Sequence, residues 1–130
     1  MIKIFTDGGS RGNPGPSALG VVIGDKHFKK FLGSLTNNQA EYLAVIFALE
    51  KAKELGFKEL EINLDSELVF KQLIGEYRVK HLNMKPLYEK AIGLVDGFES
   101  VSFNHVLREK NKVADKLVNE ALDVDTEESH

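Results

Sequence analysis

Four carboxylates stand near the ends of predicted secondary-structure elements in this chain of 130 residues. Asp7 and Asp65 each follow an apolar strand, so they meet at one edge of the sheet if those strands run side by side in parallel. Glu41 and Asp115 each fall in the first turns of a helix. Carboxylates brought together repel one another, and hard divalent cations such as Mg²⁺ offset that repulsion. The four residues are therefore candidates for an acidic metal site, whose chemistry would suit phosphodiester hydrolysis by two ions.

Each of these carboxylates also has an interpretation without a metal. A lone aspartate after a strand is usually a turn or capping residue. Glu41 or Asp115 taken singly would stabilise the positive end of its helix dipole. The spacing alone leaves both interpretations open.

Apolar runs and turn formers predict the elements that position these groups. Five strands are predicted, at residues 1–6, 18–23, 27–35, 59–64 and 101–107. Four helices are predicted, at residues 40–55, 66–74, 85–98 and 111–122. Three strands in meander order come first, and later strands alternate with helices. We therefore expect an α/β fold in which helices cover the faces of a mixed sheet.

The composition, 42% hydrophobic and 28% charged, is that of one soluble domain. The absence of cysteine excludes disulfides and thiolate metal sites. No apolar run approaches the roughly 20 residues that span a bilayer, and the N-terminus lacks a signal-peptide pattern. We expect a cytoplasmic protein with no membrane partner, whose domain covers residues 1–122 and whose acidic, disordered tail covers residues 123–130.

The net charge of −3 argues mildly against a polyanionic partner, because affinity for nucleic acid comes mainly from Lys and Arg. The tail, however, holds four carboxylates and neither Lys nor Arg, so the rest of the chain is close to neutral. An enzyme can also gather acidic groups at a metal site and bind nucleic acid elsewhere. The charge therefore leaves a nucleic-acid partner open.

Four segments, in order and spacing, resemble the motifs of the type 1 ribonuclease H family. They are residues 6–16 (TDGGSRGNPGP), 36–41 (TNNQAE), 64–66 (LDS) and 106–115 (VLREKNKVAD). The resemblance extends from residue 1 to about residue 122. It implies a ribonuclease H-like fold, a five-stranded mixed sheet whose first three strands are antiparallel. The implied activity is endonucleolytic cleavage of the RNA strand of RNA/DNA hybrids, leaving 5′-phosphate and 3′-hydroxyl ends.

The same resemblance implies which residues hold metal and substrate. Asp7, Glu41, Asp65 and Asp115 would be the catalytic carboxylates that bind two Mg²⁺ ions, with Mn²⁺ able to substitute. The protein would act as a monomer on the hybrid, without an obligate protein partner.

Four further residues match the family's contacts with the hybrid. Asn13, Asn37 and Asn38 would touch its minor groove, and Thr36 would help to hold a phosphate of the DNA strand. Amide side chains both donate and accept hydrogen bonds, so they can recognise the 2′-hydroxyl of one strand. Capping of the following helix by Asn37 or Asn38 is the alternative interpretation.

The chain departs from many relatives between the third and fourth motifs. Residues 77–85 form a short, modestly basic substitute for a basic helix and loop, which is typical of a compact prokaryotic form without the basic protrusion. His105 lies near the place of a histidine that assists proton transfer or product release, and Arg108 is the alternative for that role. His105 as an ordinary strand residue also remains open.

A structural partner domain remains open from the sequence, and so do two further function classes. One is another nuclease of the same fold, because the fold also serves resolvases, transposases and exonucleases. The other is a non-catalytic module that binds RNA/DNA hybrids. Four mutually repelling carboxylates argue against the module, since binding alone gains nothing from them.

Overall fold

The computed structural model of the chain describes the backbone of residues 1–128 and the side chains of residues 1–123. Its strands form one five-stranded sheet in the order β3-β2-β1-β4-β5. The strands are β1 (Ile2–Ser10), β2 (Gly15–Ile23), β3 (Lys26–Leu35), β4 (Glu59–Leu64) and β5 (Ser100–His105). Strands β1, β2 and β3 pair antiparallel, whereas β4 is parallel to both β1 and β5. The predicted mixed sheet is confirmed.

Helices cover both faces of this sheet. They are α1 (Asn37–Glu54), α2 (Glu67–Leu73), α3 (Lys85–Val95) and α4 (Lys112–Glu128), with a 3₁₀ turn at Arg108–Lys110. Leu19 belongs to the main core with α1, and its neighbour Ala18 packs with Val118 and Leu122 of α4. Adjacent residues of a strand point to opposite faces, so α1 and α4 lie on opposite sides of the sheet.

The glycine-rich segment is more regular than the sequence predicts. Strand β1 continues through Ser10 and β2 begins at Gly15, so the connection between the strands predicted at residues 1–6 and 18–23 is reduced to residues 11–14. Gly8 pairs with Leu19, and Ser10 pairs with Ser17. The turn propensity of Gly8 and Gly9 predicted the wrong structure, because both residues pair with β2 within the sheet.

Helix α1 begins earlier than predicted, with Thr36 as its N-cap in place of Asn37 or Asn38. The Thr36 hydroxyl accepts a hydrogen bond from the Gln39 N–H at 3.2 Å, and Gln39 Oε1 accepts one from the Thr36 N–H at 2.9 Å. This reciprocal pair is a capping box. Glu41 consequently lies beyond the first turn of the helix.

Three other boundaries differ from the predictions. Helix α3 ends at Val95 rather than residue 98, and β5 covers Ser100–His105 rather than residues 101–107. Helix α4 continues to Glu128, past its predicted end at Leu122, because neither glycine nor proline follows to stop it. The helix thus takes in the backbone of residues 123–128, which the sequence assigned to the tail, and residues 129 and 130 lie outside the described part of the chain. The end of the domain at residue 122 stays a prediction.

Within the part of the chain that the structure describes, no helix has the length and apolar character that crossing a membrane requires.

Candidate functional site

Three carboxylates from separate elements converge at one edge of the sheet. Oxygen atoms of Asp7, Glu41 and Asp65 all lie within 4.8 Å of one another. Asp7 and Asp65 arrive together because β1 and β4 are parallel and Thr6 is in register with Leu64. Asp7 is 7% exposed and Glu41 is 3% exposed, whereas Asp65 is partly exposed. The cluster therefore has a buried floor and one side open to solvent.

Glu41 reaches Asp7 because α1 lies unusually close to β1. A Cβ atom on Gly8 would lie 2.2 Å from the Ala40 carbonyl oxygen, well inside van der Waals contact. Only glycine therefore fits beside this turn of the helix. The Gly8 backbone also lowers the pKa of Glu41, against the larger effect of burial, which is consistent with this close approach.

Asp115 reaches the same cleft through a second close approach. Gly20 pairs with Asp7 across β1 and β2, and a Cβ atom there would lie 2.3 Å from the Ala114 carbonyl oxygen. Helix α4 thus packs directly on β2 and carries Asp115 to the rim of the cleft, where its side chain is partly exposed. The structure places three of the predicted carboxylates in a tight cluster and the fourth beside it.

The cluster raises the pKa values of its buried members. Burial, followed by the charge of Asp65, raises the pKa of Asp7 to about 7. Burial, followed by the charge of Asp7, raises the pKa of Glu41 well above its usual range. Both shifts mean that the folded protein disfavours the ionised carboxylates unless a positive charge lies between them.

The donor set fits a hard divalent cation. Glu41 Oε2 is fully buried at the cluster and has no hydrogen-bond partner among the described residues. A buried carboxylate oxygen without a partner is costly, and coordination to a cation removes that cost. Asp7, Glu41 and Asp65 offer only oxygen ligands, which Mg²⁺ and Mn²⁺ prefer. These three residues can therefore hold a metal ion.

Asn111 is a part of the site that the sequence did not identify. Its side chain is 1% exposed, and its Nδ2 donates to the Thr6 carbonyl oxygen at 2.9 Å and to Asp65 Oδ2 at 3.3 Å. In the sequence, Asn111 is only the first residue of the last predicted helix, a place where asparagine is usually a cap. An asparagine four residues before Asp115 carries no signal that distinguishes a cap from a buried contact with Asp65.

Of the predicted hybrid-binding residues, Asn37 alone lines the carboxylate cleft among the described residues. Asn37 borders it, and its N–H donates to Asn13 Oδ1 at 3.0 Å. Asn37 Oδ1 accepts a hydrogen bond from the Ser10 N–H at 3.3 Å. The start of α1 is therefore bonded both to the end of β1 and, through Asn13, to the glycine-rich loop at residues 11–14. Thr36 is engaged as the cap of α1, and Asn38 is partly exposed beside it. The structure thus brings Asn13 and Asn37 into contact next to the carboxylates.

Arg108 and His105 occupy different positions. Arg108 is exposed and lines the cleft with the carboxylates. His105 is also exposed, but its Nε2 lies 3.2 Å from the Asp65 carbonyl oxygen and its ring stacks on Phe70 with centroids 5.7 Å apart. Arg108 is therefore the better placed of the two to meet a bound substrate.

The chain matches known proteins over most of its length. A family model described as "Reverse transcriptase-like" matches residues 5–121. Ribonuclease HI of Halobacterium salinarum is 44% identical over 128 residues, covering 94% of this chain and 64% of that protein. The bifunctional protein Rv2228c of Mycobacterium tuberculosis is 39% identical over 129 residues, and there the chain spans only 35% of the relative's length.

Solved structures of such proteins share the fold. The crystal structure of RNase H1 from Halobacterium salinarum superposes with a TM-score of 0.91 at 44% identity, covering 94% of this chain and 97% of that one. LC11-RNase H1, isolated from compost and solved in complex with an RNA/DNA hybrid, superposes with a TM-score of 0.92 at 41% identity, covering 97% and 99% of the two chains.

Proposed function

The chain belongs to the type 1 ribonuclease H family, and we propose that it hydrolyses the RNA strand of RNA/DNA hybrids. The observation that carries this proposal is the convergence of Asp7, Glu41 and Asp65 within 4.8 Å in an open cleft. The similar LC11-RNase H1 was solved with such a hybrid, which supports the same substrate for this chain. Other nucleases of the fold and a hybrid-binding module are the competing functions.

Asp7, Glu41 and Asp65 would hold the first of two Mg²⁺ ions, and Asp115 at the rim would complete the ligands of the second. Mn²⁺ would substitute, because it prefers the same oxygen ligands. Bound there, such ions supply a nucleophilic water and stabilise the leaving oxygen, which leaves 5′-phosphate and 3′-hydroxyl ends.

The protein's own groups would orient the substrate. Asn13, Asn37 and Asn38 would meet the minor groove, where their amides can bond the 2′-hydroxyls that distinguish RNA from DNA. Thr36 would contact a DNA phosphate while it caps α1, and Arg108 would face a phosphate in the cleft. His105 would support Asp65 through its contact with the backbone of that residue.

The test is cleavage of a labelled RNA/DNA hybrid with Mg²⁺, Mn²⁺ or EDTA, beside single-stranded RNA and duplex DNA. We expect metal-dependent cutting of the hybrid's RNA strand alone, abolished in Asp65→Asn. Asp96→Asn is the matched control, because Asp96 is an exposed aspartate that follows α3. Its activity should equal that of the wild type.

The other outcomes have distinct meanings. Hybrid binding without cleavage under any metal would favour the binding module. Cutting of duplex DNA or single-stranded RNA would favour another nuclease of the fold. The monomeric state and the cytoplasmic location remain predictions, which size-exclusion chromatography and cell fractionation would test.

A further inference from the structure

Arg11 in the glycine-rich loop is held by helix α4. Its Nη2 lies 2.6 Å from Asp123 Oδ1 and 3.3 Å from Asn119 Oδ1. The Arg11 and Asp123 side chains are 42% and 59% exposed, so water and solutes reach the ion pair. Neither the proposed metal site nor the expected contacts with the hybrid use Arg11.

The position of Arg11 places its charge beside the proposed path of the hybrid. Ser10, which precedes it, lines the carboxylate cleft, and Asn13 in the same loop bonds the N–H of Asn37. Asn119 lines the same cleft. Arg11 lies between these two places in the chain and contacts Asn119 at the cleft, so a duplex that touches both Asn13 and the carboxylates would lie near its side chain.

Helix α4 presents three polar residues at a spacing of four, which places them on one face. Asp115 lies at the rim of the cleft, Asn119 donates to the Asp115 carbonyl oxygen at 3.1 Å, and Asp123 follows one turn later. Arg11 contacts the second and third of these residues. Its guanidinium therefore lies along the helix face that begins at a proposed metal ligand.

We propose that Arg11 binds a backbone phosphate of the hybrid, and that in the free protein Asp123 holds the guanidinium and competes with that phosphate. This inference rests on the proposed function, because it needs a hybrid in the cleft. Guanidinium binds phosphate and carboxylate oxygens with the same fork of donors, so the exchange keeps the Arg11 donors satisfied.

The ion pair is weak enough to be exchanged. Solvent-exposed ion pairs contribute little to stability because water and salt screen them and two side chains must be ordered. A duplex, by contrast, presents closely spaced phosphates and releases counterions when a cation binds it. Binding of the hybrid should therefore displace Asp123 from Arg11 at a cost of no more than about fivefold in affinity.

The experiment measures binding of a fluorescent RNA/DNA hybrid at several salt concentrations, with Ca²⁺ in place of Mg²⁺ and a gel check that the RNA stays intact. Arg11→Gln should weaken binding of the hybrid at least about threefold. The logarithm of the association constant falls linearly with the logarithm of the salt concentration, and the variant should make that slope less steep by about 0.9, the contribution of one phosphate contact. Arg11→Lys should keep most of that slope, because it keeps the charge.

Asp123→Asn should tighten binding about two- to fivefold, the range expected from releasing an exposed ion pair. The same substitution in the Arg11→Gln background should have no effect. Glu120→Gln is the matched control, because Glu120 is also on α4 and pairs with Lys29 at 3.5 Å with similar exposure. It should change affinity less than Asp123→Asn. Thermal melting of each variant separates binding effects from loss of fold.

Three results would overturn this inference. The first is that Arg11→Gln leaves both the hybrid affinity and its salt dependence unchanged. The second is that Asp123→Asn and Glu120→Gln raise the hybrid affinity equally, and the third is that Asp123→Asn still raises it when Arg11 has been replaced. Each of them presupposes that the wild type binds and cuts the hybrid. If the wild type neither binds nor cuts it, the proposed function fails first, and the role of Arg11 fails with it.

Discussion

Asn111 holds Asp65 in place: its Nδ2 lies 3.3 Å from Asp65 Oδ2 while the same amide nitrogen donates to the Thr6 carbonyl oxygen at 2.9 Å. One buried side chain thereby joins the start of α4 to β1 and to the residue that follows β4. Because Asp65 is the least buried of the three clustered carboxylates, it depends most on such a contact for its orientation.

We expect Asn111→Ala to weaken metal binding or hybrid cleavage about 10- to 100-fold, as loss of a group that orients a ligand does. It should also lower the free energy of unfolding by about 1–3 kcal/mol, because it removes a buried hydrogen bond to Thr6. Calorimetric titration with Mn²⁺ and a cleavage assay measure the first effect, and denaturant unfolding measures the second.

Asn63→Ala is the control for Asn111→Ala. Asn63 is 5% exposed and its Nδ2 donates to the Ile4 carbonyl oxygen at 3.1 Å, so it makes the same kind of bond to β1. It should lose similar stability with little change in metal affinity. Equal losses of metal affinity in both variants would show that Asn111 acts only through the fold.

The raised pKa of Asp7 makes the metal-free protein less stable as the pH rises. Its pKa is about 7 in the folded protein, against an ordinary value of 3.8, chiefly because of burial. The folded state therefore binds the proton more tightly than the unfolded state, and the free energy of unfolding should fall between about pH 4 and pH 7. Mg²⁺ should suppress this decline because it neutralises the cluster.

Asp7→Asn tests at a single pH whether the ionised Asp7 carboxylate destabilises the metal-free protein. In EDTA at pH 8 it should raise the melting temperature by roughly 3 °C or more, since it removes a destabilising buried charge. In excess Mg²⁺ the wild type should gain more from the metal than the variant does. Asp96→Asn should change neither value, and an Asp7→Asn variant that melts lower in EDTA would contradict the expected repulsion.

Gly20 should tolerate no side chain, because a Cβ atom would lie 2.3 Å from the Ala114 carbonyl oxygen. We expect Gly20→Ala to lower the free energy of unfolding by about 1–3 kcal/mol and to reduce cleavage by displacing Asp115. Gly93→Ala is the control, since nothing lies within 4 Å of its Cβ position in α3. There alanine should stabilise the helix by up to about 1 kcal/mol.

Thr36 can be tested as a cap and as a phosphate ligand separately. Thr36→Ala should lower the free energy of unfolding by about 1 kcal/mol, and Thr36→Ser should retain it, because serine keeps the capping hydroxyl. Gln39→Ala breaks the other half of the capping box. If Thr36 also binds a phosphate, hybrid affinity should fall more in Thr36→Ala than in Gln39→Ala; equal affinities would leave Thr36 a cap alone.

Arg108 should matter more than His105 for cleavage. Arg108→Ala should lower kcat/KM about tenfold, the effect of one charge-assisted hydrogen bond to a phosphate. His105→Ala should lower it less, because the His105 ring contacts the Asp65 backbone and Phe70. The pH–rate profiles of both variants show whether either residue transfers a proton. If the profile of His105→Ala lacks an ionisation that the wild type and Arg108→Ala both show, proton transfer is assigned to His105.

The sequence determined the sheet and the main members of the acidic cluster. Asp7 and Asp65 follow apolar strands, and the carboxyl ends of parallel neighbouring strands must lie at one edge, so their meeting follows from local pattern and chain order. Motif spacing added Glu41 and Asp115. Turn propensity misplaced the end of β1 because local preference does not record that Gly8 pairs within the sheet.

Only the tertiary structure decided how the helices meet the sheet. The roles of Gly8 and Gly20, the bond from Asn111 to Asp65 and the ion pair of Arg11 with Asp123 join residues far apart in the chain. Such contacts depend on helix-to-sheet distances of a few ångströms, which are set by the packing of the whole core. Sequence periodicity reports which face of an element is buried, but not how closely that face approaches its neighbour.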